Sequence, residues 1–123
     1  MRLSRGDFET LVMEAYRKLP PELLRSIENL GILVEDWPSR DQLEGLEADD
    51  PHSLFGLYFG VPLPERDGGQ PPLPDTITLF QRPIENVCST RNEVIEEIRV
   101  TLLHEVGHYL GMSEDDLDRL GYG

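Results

Sequence analysis

Residues 104–111 read His-Glu-Val-Gly-His-Tyr-Leu-Gly, and an acidic run, Glu114-Asp115-Asp116, begins three residues later. Two histidines four positions apart on a helix project from the same side, so His104 and His108 can reach one metal ion. Glu105 directly follows the first histidine, which is the position of the general base in zinc peptidases. The spacing therefore predicts a metal site on a helix, with a catalytic carboxylate beside it.

The helix that carries this motif is predicted to begin near Thr90 and to end at Gly111. Thr90 and Glu93 have the spacing of a capping box, and a glycine readily adopts the left-handed conformation that stops a helix. One side carries apolar residues at helical spacing. They are Ile95, Ile98, Leu102, Val106 and Leu110. The histidines would lie on the opposite side, where core packing does not require them, and this favours a role in metal binding.

The spacing leaves the third ligand open. Glu114 lies six residues after His108, where motifs of this class usually supply it, and Asp115 is the alternative. A water molecule or a distant residue is also possible, and His52 is a further candidate from a stretch without a recognisable motif. The acidic run can equally form the first turn of a short last helix capped by Ser113, and both interpretations can hold together.

Three segments together resemble the bacterial minimal zincin-like metallopeptidases. They are the motif at 104–114, the stretch GLYFGVPL at 56–63 and the stretch LPDTITLF at 73–80. The resemblance implies a small α+β fold in which a few-stranded sheet packs with helices and the HExxH motif lies on a C-terminal helix. It also implies a zinc ion held by His104, His108 and Glu114, with Glu105 as the catalytic base.

The predicted function is hydrolysis of peptide bonds in a peptide or protein substrate. Glu105 would take a proton from a zinc-activated water and pass it to the leaving amine. Two histidines and one carboxylate leave a fourth zinc position for that water, as in catalytic rather than structural sites. The alternative is a zinc-binding interaction or regulatory module with little or no proteolysis, because a chain of 123 residues leaves little material for a deep cleft.

Residues 53–63 are apolar, and glycines at 56 and 60 suggest bends or close backbone approach. Peptides often bind by adding a strand to an exposed sheet edge. Either this segment or the strand predicted at 76–81 would provide that edge. Tyr58 could then donate a hydrogen bond to the developing oxyanion. Alternatively, its ring packs in the core with the hydroxyl at the surface.

The remaining patterns predict the scaffold. Residues 5–19 repeat apolar side chains at helical spacing, with Ser4 and Asp7 near the start in a pattern close to a capping box. The other predicted elements are a short helix from Pro21 that Gly31 terminates, a strand at 32–37, a surface loop at 38–53, a proline-bounded loop at 64–74 and a helical turn at 83–88.

The composition limits the classes of partner. The length suits one domain spanning 1–123, and 24 acidic against 11 basic residues give a net charge of −13. An acidic surface repels nucleic acid and anionic membranes, so neither is an expected partner. The single Cys88 cannot form an internal disulfide, and no apolar run suggests a signal or a membrane span. We therefore expect a monomer in the reducing cytoplasm.

Overall fold

Three strands form a mixed sheet in the order β1-β3-β2. Strand β1 (Leu30–Glu35) runs parallel to β3 (Asp75–Phe80), and β2 (Gly56–Phe59) runs antiparallel to β3. The computed structural model describes residues 1–45, 51–60 and 75–119, except for the side chains of residues 45, 51 and 114.

Because β3 has a neighbour on each side, the prediction that the strand at 76–81 could offer a free edge is wrong. Strand β2 is an outer strand among the described residues.

Helices and short turns fill the rest of the described chain. They are α1 (Arg5–Arg17), α2 (Pro21–Arg25), α3 (Arg40–Gly45), a 3-10 helix (Pro51–Ser53), α4 (Gln81–Asn86), α5 (Arg91–Tyr109) and α6 (Glu114–Arg119). Ser4 caps helix α1, and its Oγ accepts a hydrogen bond from the Asp7 amide at 3.1 Å. The predicted cap of the first helix is therefore confirmed. None of the described helices is both long enough and apolar enough to cross a membrane.

Two parts of the scaffold differ from the prediction. Helix α2 ends at Arg25, so Gly31 does not terminate it but lies inside β1. The chain turns at Asn29, whose φ of 53° is a left-handed conformation that asparagine tolerates better than most residues.

The stretch predicted as a surface loop contains α3 and the 3-10 helix instead. Ser39 and Gln42 exchange hydrogen bonds at the start of α3, with N···O distances of 2.7 and 3.1 Å. The sequence contains this capping box, and the prediction of a loop did not take it into account. The proline-bounded loop at 64–74 lies outside the described residues, and a single domain over 1–123 stays a prediction.

Helix α5 packs on two sides, against α1 and against strands β2 and β3. The predicted apolar stripe is confirmed at Ile98, Leu102 and Val106, which are fully buried. The opposite side is not free of packing, because Thr101 and Glu105 are buried as well. The remaining members of the main core are Phe8, Leu11, Val12, Ala15, Leu19, Leu23, Ile77, Leu79, Ile84, Cys88, Val94 and Leu103.

A polar network ties the start of the chain to α4. The buried Glu85 carboxylate accepts hydrogen bonds from the Leu3 amide at 2.8 Å, from Gln81 at 2.9 Å and from Arg82 at 2.7 Å. Burial by itself raises the pKa of Glu85, but the bonds from Gln81, Arg82 and Leu3 outweigh it and lower that pKa below its usual value. The network therefore stabilises the fold while Glu85 is ionised.

Candidate metal site

The two histidines of the motif lie one turn apart near the end of α5. Their ring centroids are 4.6 Å apart and the ring planes meet at 74°. One nitrogen of each ring and one oxygen of Glu105 all lie within 4.8 Å of one another. Zinc–nitrogen bonds are about 2.0–2.1 Å long, so two ligand atoms on one tetrahedral ion are roughly 3.4 Å apart. The two imidazole nitrogens therefore lie close enough together to be candidate ligands of one zinc ion.

The backbone around the histidines forms as the sequence predicted. Thr90 caps α5, with its Oγ1 accepting from the Glu93 amide at 3.2 Å. At the other end Gly111 has a φ of 83°, and the Met112 amide donates to the Gly107 carbonyl at 2.8 Å. This is the left-handed stop expected at Gly111. The chain thus turns back immediately after the second histidine.

Helix α6 follows this turn directly. Ser113 and Asp116 form a reciprocal cap, each amide donating to the other side chain, at 3.0 and 3.1 Å. The predicted short last helix is therefore confirmed. Glu114 is its first residue, but its side chain lies outside the described part of the structure. Asp115 is exposed and does not belong to the cluster around the two histidines. The third ligand stays a prediction, with Glu114 and Asp115 as the candidates.

Glu105 is held from two directions. Its Oε1 accepts a hydrogen bond from the Tyr58 backbone amide at 3.0 Å, and His108 Nδ1 lies 3.4 Å from the same oxygen. The residue is only 8% exposed. Strand β2 therefore fixes the orientation of the carboxylate that the motif identifies as the base, a contact that the sequence analysis did not predict.

Close approach of β2 to α5 depends on Gly56. A Cβ atom at this position would lie 2.6 Å from Thr101 Cγ2 and 3.4 Å from Glu105 Cγ. The expectation of close backbone approach is confirmed here, and it also holds at Gly60. Gly60 has a φ of 151°, and a Cβ atom at that position would lie 2.4 Å from the Asp75 carboxyl group. Glycine at position 56 was thus the sequence signal for the contact between β2 and the motif helix.

Tyr58 makes a contact that neither of its two predicted roles included. Its hydroxyl donates a hydrogen bond to Asp75 Oδ2 at 2.7 Å, and its ring meets Tyr109 edge-on, with centroids 5.9 Å apart. Asp75 is 3% exposed. An oxyanion role would require the hydroxyl to leave this carboxylate, and it stays a prediction. Nothing in the sequence had singled out Asp75.

His52 lies on the 3-10 helix Pro51–Ser53. Its ring meets Trp37 edge-on at a centroid distance of 5.0 Å. It is not part of the group formed by His104, Glu105 and His108. The structure therefore gives no support to His52 as the third ligand.

Comparisons with known proteins concern the family and the fold of this chain. No curated protein matches the chain. Among solved structures, it is similar to a conserved hypothetical protein from Thermus thermophilus, with 24% identity and a TM-score of 0.57 over 88% of this chain and 94% of that one. That likeness concerns the fold alone. A family model described as zincin-like metallopeptidase matches residues 27–123, a span that includes the whole motif. The chain therefore belongs to the zincin-like metallopeptidase family.

Proposed function

We propose that this protein is a zinc-dependent peptidase. The observation that carries the proposal is the cluster of His104, Glu105 and His108 on one helix of a chain from a metallopeptidase family. His104 and His108 hold the zinc ion together with Glu114, or with Asp115 in its place. This donor set suits catalytic zinc, which has three protein ligands and a fourth position left for water or substrate.

Glu105 carries out the proton transfers of the proposed reaction. When bound, zinc polarises a substrate carbonyl and lowers the pKa of a water to about 7. Glu105 accepts the proton of that water and donates it to the leaving amine. The Tyr58 amide donates a hydrogen bond to Oε1 of this carboxylate at 3.0 Å and so restricts its orientation. Fixing the carboxylate in this way reduces the reorganisation needed for the transfer.

Strand β2 gives the substrate a place to bind. A peptide in an extended conformation can add to an outer strand through main-chain hydrogen bonds. Strand β2 is such a strand among the described residues, and the hydrogen bond from its Tyr58 amide to Glu105 places the strand beside the proposed base, although that amide is then not available to the peptide. We therefore place the substrate peptide along β2. The net charge of −13 makes a cationic peptide more favourable than an anionic one, and nucleic acid an unsuitable partner.

A zinc-binding interaction module is the second candidate. It is favoured by the engagement of Glu105, which is 8% exposed and contacts both Tyr58 and His108. In that case Glu105 would orient the metal ligand His108, as carboxylates commonly do around zinc, rather than act on a water.

The Glu105→Gln variant separates the two candidates. Glutamine keeps an oxygen that can accept from Tyr58 but cannot act as a base, so the peptidase proposal expects about one zinc per chain and cleavage reduced at least about 100-fold. Zinc is measured by elemental analysis, and cleavage by mass spectrometry of a random decapeptide library. Glu96→Gln, an exposed change on the same helix, is the matched control and should alter neither quantity.

Two results would contradict the peptidase proposal. One is a zinc-loaded wild-type protein that cleaves no member of the library, which would leave the interaction module. The other is a Glu105→Gln variant that cleaves as fast as the wild type. Absence of zinc from the wild type, even when zinc is supplied in chelator-free buffer, would remove both candidates.

A further inference from the structure

We propose that Gly107 and Leu117 are positioning residues for the metal site. The side chain of Leu117 packs against Gly107, and this contact determines where the first turn of α6 lies relative to the two histidines. The inference rests on the proposed function in one respect only, namely that residue 114 or 115 supplies the third zinc ligand. It gives a role to the glycine inside the motif and to a leucine outside it.

The contact between these two residues is tight. A Cβ atom at Gly107 would lie 2.4 Å from Leu117 Cδ2, 3.1 Å from Cδ1 and 3.2 Å from Cγ. Three atoms of the same side chain are involved, so rotating a single methyl group does not relieve the overlap. Leu117 is also fully buried, which limits its freedom to adopt another rotamer. Only a glycine at 107 lets α6 approach α5 this closely.

The connection between the two helices is short and constrained. The Met112 amide donates to the Gly107 carbonyl at 2.8 Å, so the turn is tied to the same residue that receives Leu117. Ser113 then caps α6, and the Leu117 amide donates to the Ser113 carbonyl at 3.0 Å. Displacement of Leu117 therefore cannot be absorbed by a long loop. It must move the first turn of α6, where residues 114 and 115 lie.

Gly107 is also placed between the two histidines along the helix. It immediately precedes His108 and follows His104 by three residues, so its backbone belongs to the same turn as the ligands. Movement at this contact changes the distance between the candidate third ligand and the histidine pair. Zinc requires its ligand atoms at short, well-defined distances, so displacement of the candidate third ligand weakens binding.

The test compares zinc affinity in four proteins: wild type, Gly107→Ala, Leu117→Ala and the double variant. Gly107→Ala should weaken zinc binding about 10- to 100-fold, the effect usual for loss of a supporting contact around zinc. The double variant lacks all three leucine atoms that meet the new methyl group. It should therefore bind zinc more tightly than Gly107→Ala, although it is less stable than the wild type. Affinity is measured by competition with a chromophoric chelator.

Cobalt substitution supplies a readout that stability alone does not change. The visible absorption of Co²⁺ reports coordination number and geometry, and we expect it to shift in Gly107→Ala and to return toward the wild-type spectrum in the double variant. Ile84→Ala is the control, because Ile84 is fully buried on α4, outside both helices of the contact. It should lower stability and leave the cobalt spectrum and zinc affinity of the folded protein unchanged.

Glu114→Gln and Asp115→Asn complete the design. Whichever of them weakens zinc binding marks the third ligand, and adding Gly107→Ala to that variant should produce little further loss. Unchanged zinc affinity and cobalt spectrum in Gly107→Ala, with normal binding by the wild type, would overturn this inference and leave the peptidase proposal standing. Equal losses in Gly107→Ala and Ile84→Ala would likewise overturn it. A wild-type protein that binds no zinc would instead count against the proposed function.

Discussion

The contact of Gly56 with Thr101 gives the most direct test of how β2 is held against the motif helix. In Gly56→Ala, the new methyl group would lie 2.6 Å from Thr101 Cγ2 and 3.3 Å from Leu79 Cδ2. Overpacking of a buried site typically costs about 1–3 kcal/mol. Gly56 does not have a positive φ, so alanine also restricts the unfolded chain, which stabilises by about 0.4–1 kcal/mol. We expect a net loss of about 1–2 kcal/mol in the free energy of unfolding.

A second substitution identifies the cause of that loss. Thr101→Ser removes the Cγ2 methyl and keeps the hydroxyl, at a cost of about 1 kcal/mol for one buried methyl group. In the double variant the new methyl group at position 56 takes the space that Cγ2 leaves, so the two losses should not add. The double-mutant cycle should give a favourable coupling of about 1 kcal/mol or more.

Urea denaturation followed by circular dichroism and by the fluorescence of Trp37 measures these energies. An unchanged m value would show that only stability has altered. Gly31→Ala is the matched control, since a Cβ there meets Thr76 Cγ2 at an ordinary 3.7 Å. It should be neutral or slightly stabilising. Strict additivity of Gly56→Ala and Thr101→Ser, or an equal loss in Gly31→Ala, would refute the steric explanation.

Two further predictions concern polar contacts of the scaffold, those of Tyr109 and of Glu85. Tyr109 is fully buried, and its hydroxyl accepts from the Glu28 amide at 2.9 Å and donates to the Glu28 carbonyl. Tyr109→Phe leaves both backbone groups without this partner and should cost about 1–3 kcal/mol in urea denaturation; a loss below about 0.5 kcal/mol would contradict this reasoning. The pKa of Glu85 is lowered in the folded protein, so its contribution is present above the usual value of 4.5 and is lost as pH falls through the folded value. Glu85→Gln should therefore be less stable near pH 7 and lose less stability than the wild type on acidification below about pH 4.5; parallel stability curves would show that Glu85 is not responsible.

Local signals in the sequence predicted the motif helix well. The caps at Thr90 and Ser113 and the stop at Gly111 all formed, because each depends on residues within three or four positions of one another. The same locality explains why a capping box at Ser39 could have revealed α3. The pairing of the two histidines also follows from helix periodicity alone. Sequence thus determined the HExxH helix, its limits and the family to which the chain belongs.

Tertiary structure decided what surrounds that helix. The Tyr58 amide reaches Glu105 across 47 positions of chain, and its hydroxyl meets Asp75 across 17. Strand order likewise made β3 central, which the alternation at 76–81 could not indicate. Periodicity shows which side of an element is apolar, but contacts between distant segments depend on how several elements pack at once. For that reason the histidine pair was predictable from the sequence, whereas the partners of Glu105 and Tyr58 were not.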